Sequence, residues 1–165
     1  MSFAGLSAVD YDYGLNFQRR ELADFYAYWD RKRGDRLFPS RADIEPREFV
    51  AILPWVHMYD VINAGEEFTV RLAGTALADF FSESDFRGKP ISMLPEPAGG
   101  NLRRHLLNLL EARAPLRTYN HSTSIPGQEL CASEGCYVPL SGNGADIDII
   151  MAVTLLGDTR SKPFF

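Results

Sequence analysis

Three histidines are the side chains in this sequence best suited to chemistry near neutral pH. They are His57, His105 and His121. Because imidazole titrates close to physiological pH, each of them can act as a general acid or base. Asp60 or Asp79 could orient such a histidine across the fold, since catalytic groups need proximity in space and not in sequence. With three histidines and 22 acidic residues, however, some such pairing is expected by chance.

The motifs of common enzyme classes are missing from the chain. There is no GxGxxG or GxxxxGKS/T phosphate loop, no HExxH zinc motif and no GxSxG nucleophile turn. Cys131 and Cys136 do not form paired CxxC motifs, so neither a zinc site nor a disulfide framework is indicated, and reduced thiols are the default. We therefore predict no catalytic residue and no metal.

A small-ligand site is suggested by polar groups on one predicted helix and three predicted strands, because such groups orient ligands in apolar clefts. The candidate ligand-binding residues are Tyr59, Arg71, His105, Leu109, Tyr119, Asn120 and His121. Strand alternation places Tyr119 and His121 on one face and Asn120 on the other, but does not decide which face is inward. A filled core without a ligand is an equal alternative.

Composition and length fit one ordinary domain. Hydrophobic residues make up 45% and charged residues 24% of the 165 residues. We predict a domain over residues 16–156, between an N-terminal tail (1–15) and a C-terminal tail (157–165). The net charge of -5 disfavours nucleic acid as a partner. No apolar run approaches the roughly 20 residues of a membrane-spanning helix, so we expect a cytoplasmic protein without a membrane partner.

The leading helix is predicted over residues 17–33. Apolar side chains recur at i, i+3, i+4 and i+7 from Leu22 to Trp29, and Gly34 is suited to end the helix. Tyr28 lies off this stripe. The surplus of aromatic surface favours a homodimer in which two such helices pack about a twofold axis.

The second long helix is predicted to start with Asn101 as its cap and to carry His105 on its apolar face. Thr75 is expected to cap a short helix, and residues 133–135 are expected to lie at a turn. The remaining predicted elements are strands at 55–62, 68–72, 116–124, 129–140 and 147–156, a turn at 125–127, and short helices at 46–52 and 75–81.

This order of elements, together with local motifs over roughly residues 19–156, resembles a bacterial PAS domain family. In that family, a helix containing Tyr-Trp precedes a loop rich in proline and arginine. The matching residues are Tyr28, Trp29, Arg36, Pro39, Arg41, Asp43 and Pro46, the segments LPWVHMYDV and FTVRLAGTALADFF, and Gly88. We expect Arg36 and Arg41 to bind carboxylates and fix the leading helix, rather than to bind a partner. The resemblance implies an α+β fold, with a five-stranded antiparallel sheet, helices on one face and an N-terminal flanking helix.

The resemblance also implies a sensor or adaptor. PAS domains hold small ligands between sheet and helices, or dimerise through a flanking helix. His105 resembles the iron ligand of haem-binding PAS proteins, while neither cysteine has the sequence context that flavin photochemistry needs, so the cofactor stays open. We predict a non-catalytic module that binds a small ligand, a signalling partner or both. The alternative is a small enzyme with His105 or His121 as general base.

Overall fold

The computed structural model describes residues 9–78, 80–81, 85–121 and 132–157. Its strands are β1 (Val9–Asp12), β2 (Val56–Ile62), β3 (Glu67–Ala73), β4 (Leu116–Asn120), β5 (Ser133–Leu140) and β6 (Ile149–Leu156). Its α-helices are α1 (Arg20–Arg33) and α2 (Ala98–Ala112), and 3-10 segments occur at Arg41–Asp43, Pro46–Trp55, Asn63–Gly65, Thr75–Leu77 and Ile91–Met93. Asp79, Cys131 and the turn predicted at residues 125–127 lie outside the described residues.

The described strands form one antiparallel sheet of six strands in the order β1-β4-β5-β6-β2-β3, where five strands were predicted. The additional strand is β1, which was predicted to be part of a tail and which pairs antiparallel with β4. Its sequence, Val-Asp-Tyr-Asp, is too short and too polar to show a period. The strand forms because it pairs with distant residues, and not because of local propensity.

The helix α2 covers one face of the sheet, and the flanking helix α1 covers the other. Cross-strand pairing divides the side chains of β5 between the faces, with Tyr137 on one and Glu134 on the other. On the Tyr137 face lies α2, whose His105 ring is 5.6 Å from the Tyr137 ring. On the other face lies α1, since the Glu134 carboxylate accepts the backbone N–H of Arg19. The central strands β5 and β6 are consequently buried almost throughout.

The buried face of α1 is wider than the predicted stripe. Tyr28, expected off the stripe, is only 5% exposed. The reason is that the Pro46–Trp55 segment folds across the helix, so the Phe49 ring packs edge-on against the Tyr28 ring. Trp29 donates its Nε1 hydrogen to the Pro139 carbonyl oxygen at 2.9 Å, which ties α1 to β5. Gly34 ends the helix as predicted, with a positive φ of 60°.

Arg36 fixes the end of α1 to the loop that follows, as predicted. Its guanidinium donates to the carbonyl oxygens of Lys32 and Arg33 in the last turn of the helix. It also pairs with Asp43 at 3.0 Å. The described helices are all too short or too polar to cross a membrane.

Two predicted helix caps are wrong. The second long helix, α2, begins at Ala98 after Pro97, so Asn101 lies inside its first turn and does not cap it. The predicted helix at residues 75–81 is a single 3-10 turn at Thr75–Leu77, with Gly74 in the capping position. Local composition predicted these helices but not the residue at which each begins.

The turn predicted near residues 133–135 is also wrong, because these residues lie within β5. The prediction interpreted Gly135 as part of a turn. A Cβ at this position would lie 2.6 Å from Thr118 Oγ1 and 3.3 Å from Thr154 Oγ1. The glycine therefore permits close packing of side chains on neighbouring strands, and does not mark a reversal of the chain.

Candidate functional site

A cleft lies between α2, the segment around Leu77 and the Tyr137 face of the sheet. Its cavity volume is about 60 Å³, which corresponds to roughly four water molecules. The apolar lining residues are Leu77, Phe80, Phe81, Leu102 and Leu156, and the polar ones are His57, Asn101, His105, Asn120, Ser133, Tyr137 and Thr154. Among the described residues that line the cleft, none carries a formal charge at neutral pH.

His105 reaches the cleft from the buried face of α2. Its Nδ1 lies 2.7 Å from the hydroxyl oxygen of Tyr11 on β1. Arg104, one residue earlier on α2, donates its Nε hydrogen to the same oxygen at 3.1 Å. Burial, followed by the nearby Arg104 charge, lowers the pKa of His105 to about 3. His105 is therefore a neutral imidazole at physiological pH.

His57 reaches the cleft from β2 through a second set of hydrogen bonds. Its Nδ1 lies 2.6 Å from the Tyr59 hydroxyl, and its Nε2 lies 2.9 Å from Thr154 Oγ1 on the neighbouring strand β6. Burial, and then the proximity of His105, lower the pKa of His57 to about 3. Burial also raises the pKa values of Tyr59 and Tyr137. These groups of the cleft are all uncharged at neutral pH.

A buried ion pair on the opposite face of the sheet fixes the start of α1. Glu134 is 1% exposed, and its carboxylate accepts the backbone N–H groups of Gln18 and Arg19, both at 2.8 Å. Arg117 on β4 donates its Nε hydrogen to the same carboxylate at 2.5 Å and pairs with Asp12 of β1 at 3.5 Å. The buried charges on this face are therefore paired with other groups of the same chain.

Two of the predicted site residues, His105 and Asn120, line the cleft. Two more lie in the core and do not line the cleft. Tyr59 is fully buried and bonded to His57, and Leu109 is fully buried on α2. The long helix and the strand that follows it thus each place one predicted residue at the cleft.

The other three predicted residues lie outside the cleft. Arg71 is 46% exposed at a β-bulge and pairs with Asp60 at 2.9 Å. Tyr119 and His121 follow the opposite alternation from Asn120, and the exposed His121 contacts Asp10 at 2.9 Å. The alternation itself was correctly predicted, but the inward face could not be chosen without the sheet. His105 and His121 are not brought together.

Sequence reasoning missed several cleft residues. His57 was considered only as a possible catalytic partner, although it lies two residues before Tyr59 and alternation places both on one face. Ser133 and Tyr137 also share a face, but the predicted turn at this point concealed it. Thr154 gave no local signal, because its role depends on a neighbouring strand.

A family model of the PAS domain matches residues 17–150. The chain belongs to the PAS domain family. This match confirms the predicted family, and the antiparallel sheet with its helices confirms the predicted α+β class. No curated protein and no solved structure matches the chain significantly. A PAS domain is in general a sensory or signalling module rather than an enzyme.

A haem does not fit this PAS domain as it stands. The cleft beside His105 has a volume of about 60 Å³, whereas pockets for molecules of cofactor or drug size occupy roughly 300–1,000 Å³. The cleft has room for a molecule of a few non-hydrogen atoms.

Proposed function

We propose that this PAS domain is a sensory module in which a small molecule in the cleft alters how α1 is held and thereby alters the binding of a signalling partner. The observation that carries the proposal is the hydrogen bond between Tyr11 of β1 and His105 in the cleft, at 2.7 Å. It connects a strand at the edge of the sheet directly to the candidate ligand site.

The same strand is connected to the leading helix. Successive residues of a strand point to opposite faces, so Tyr11 reaches His105 on one face of the sheet while Asp12 reaches the other face. There Asp12 pairs with Arg117, which in turn pairs with Glu134 of β5. The Glu134 carboxylate accepts the backbone N–H groups at the start of α1. A ligand that binds His105 therefore acts on the residue to which β1 is bonded, and a shift of β1 acts on the residues that hold α1.

The coupling can be tested by substituting Tyr11→Phe, which removes the hydroxyl that is bonded to His105 and Arg104 and keeps the ring. Loss of each hydrogen bond costs about 1 kcal/mol, so we expect hydrogen exchange at the start of α1 to become at least about fivefold faster by local opening. Tyr13→Phe is the matched control, since Tyr13 is 51% exposed in the same segment. Unchanged exchange in α1 of the Tyr11→Phe protein would contradict the coupling.

The other predicted partners remain predictions. A homodimer through the leading helix would need aromatic surface, but Phe25, Tyr28 and Trp29 are buried within the chain. Only the outer face of α1 is left for such contacts. The cytoplasmic location, the signalling partner and the absence of nucleic-acid binding also remain predictions.

A further inference from the structure

The proton of His105 can be assigned from the groups around Tyr11. Arg104 Nε donates to the Tyr11 oxygen at 3.1 Å, and His105 Nδ1 lies 2.7 Å from the same oxygen. An arginine N–H group can only donate, so His105 Nδ1 is the acceptor that these two contacts offer to the Tyr11 hydroxyl hydrogen. The Tyr11 hydroxyl must therefore donate its own hydrogen to His105 Nδ1. Neutral His105 consequently carries its proton on Nε2.

His105 Nε2 has no hydrogen-bond partner among the described residues. It is nevertheless not a buried, unsatisfied nitrogen, because the described side chains contain no such atom. His105 lines the cleft, so the Nε2–H group is open to it. The His105 Nε2–H group is thus a hydrogen-bond donor in the cleft without an acceptor among the described residues.

A second donor is the Tyr137 hydroxyl. Tyr137 lines the cleft, and its hydroxyl is not a buried atom without a hydrogen-bond partner, so its O–H group is open to the cleft. The neighbouring His57 is instead paired within the chain. The described hydrogen-bond partner of the fully buried Tyr59 hydroxyl is His57 Nδ1, which therefore receives its hydrogen. His57 Nε2 then donates to Thr154 Oγ1.

The two donor groups are neighbours, because the rings of His105 and Tyr137 are 5.6 Å apart and inclined at 63°. We propose that the cleft binds a small uncharged molecule through a carbonyl oxygen, which accepts one hydrogen bond from His105 Nε2 and one from the Tyr137 hydroxyl. This inference rests on the proposed function, which requires a ligand in the cleft.

A carbonyl oxygen matches the site better than other oxygens of similar size. It has two lone pairs for two donors and brings no hydrogen that needs an acceptor. A carboxylate would lose its hydration in a cleft whose described lining carries no compensating charge. Space for roughly four water molecules limits the ligand to a few non-hydrogen atoms.

Four probes of equal size test the ligand class: acetone, acetamide, 2-propanol and acetate. Each is titrated into isotope-labelled full-length protein, and binding is followed by NMR. We expect acetone and acetamide to shift the signals of cleft residues and to bind at least fivefold more tightly than 2-propanol and acetate. The imidazole ¹⁵N signals of unliganded protein should show His105 protonated on Nε2.

Tyr137→Phe removes one donor and keeps the ring. We expect it to weaken acetamide binding about fivefold, as loss of one hydrogen bond would. Tyr119→Phe is the matched control, because Tyr119 lies on the other face of the sheet, and it should bind like wild type. If Tyr137→Phe does not fold, the tautomer measurement on the wild-type protein still decides the assignment.

The outcomes separate this inference from the proposed function. If acetate or 2-propanol binds as tightly as acetone, the carbonyl class is wrong but a ligand-binding module remains. A His105 protonated on Nδ1, or unchanged binding to Tyr137→Phe, overturns the assigned donors in the same way. If no probe binds, the inference fails, and the exchange response of α1 to Tyr11→Phe then tests the coupling alone.

Discussion

The two faces of the sheet handle buried polar groups in opposite ways. On the α1 face, Glu134 and Arg117 are charged and saturated by contacts within the chain. On the α2 face, His57, His105 and Tyr137 are neutral and line a cleft. Incomplete pairing of buried charges costs far more than incomplete pairing of neutral groups. The charged face is therefore suited to hold α1 in place, and the neutral face is suited to the proposed ligand.

Removing the carboxylate of the α1 face is expected to give the largest effect. Glu134→Ala leaves the Arg117 guanidinium buried without its main partner and leaves the N–H groups of Gln18 and Arg19 unpaired. Breaking a buried pair in this way costs about 3–5 kcal/mol. Urea denaturation should show this loss in the free energy of unfolding.

The matched control for Glu134→Ala is Glu111→Ala, since Glu111 is exposed at the end of α2. It should change the free energy of unfolding by no more than about 0.5 kcal/mol. A loss below about 1 kcal/mol for Glu134→Ala would show that the two faces do not differ as described.

The neutral face should make stability depend on pH. His57 and His105 have pKa values of about 3 in the folded protein, below the value of about 6.5 in an unfolded chain. The unfolded state therefore binds more protons between pH 6.5 and 3, and stability falls as pH falls through this range. Between pH 7 and 5 we expect a loss of about 2 kcal/mol for each histidine, measured by urea denaturation at both values.

His105→Asn separates the contributions of the two histidines. It removes one buried imidazole, so the difference in stability between pH 7 and pH 5 should fall by about half. A wild-type difference below about 1 kcal/mol would mean that the buried imidazoles become protonated without unfolding, and would contradict the neutral character of the α2 face.

The sequence predicted those parts of the fold that have a local period. The stripe from Leu22 to Trp29 predicted α1, and the apolar run of β6 predicted a central strand. By contrast, β1 was missed because it is held by Tyr11 and Asp12 through residues about a hundred positions away. Periodicity reports local burial, and it carries no information on an edge strand whose contacts are long-range.

The candidate site was predicted in part for a similar reason. His105 was found because its place on the apolar stripe of a helix implies burial. Alternation separated Asn120 from Tyr119, but only the sheet showed that Asn120 faces inward. Thr154 is joined to His57 by a hydrogen bond between neighbouring strands, which no sequence spacing reveals.

Arg71 gives the smallest expected effect and tests the boundary of the cleft. It was predicted to be a ligand-binding residue, but it pairs with Asp60 on the surface at 2.9 Å and is 46% exposed. Exposed ion pairs contribute about 0–1 kcal/mol, so Arg71→Ala should lower the free energy of unfolding by no more than that and leave acetamide binding unchanged. Asp60→Asn should have a similarly small effect, because it breaks the same pair. If Arg71→Ala weakens acetamide binding and Asp60→Asn does not, Arg71 is a ligand-binding residue after all, and the cleft is not limited to neutral groups.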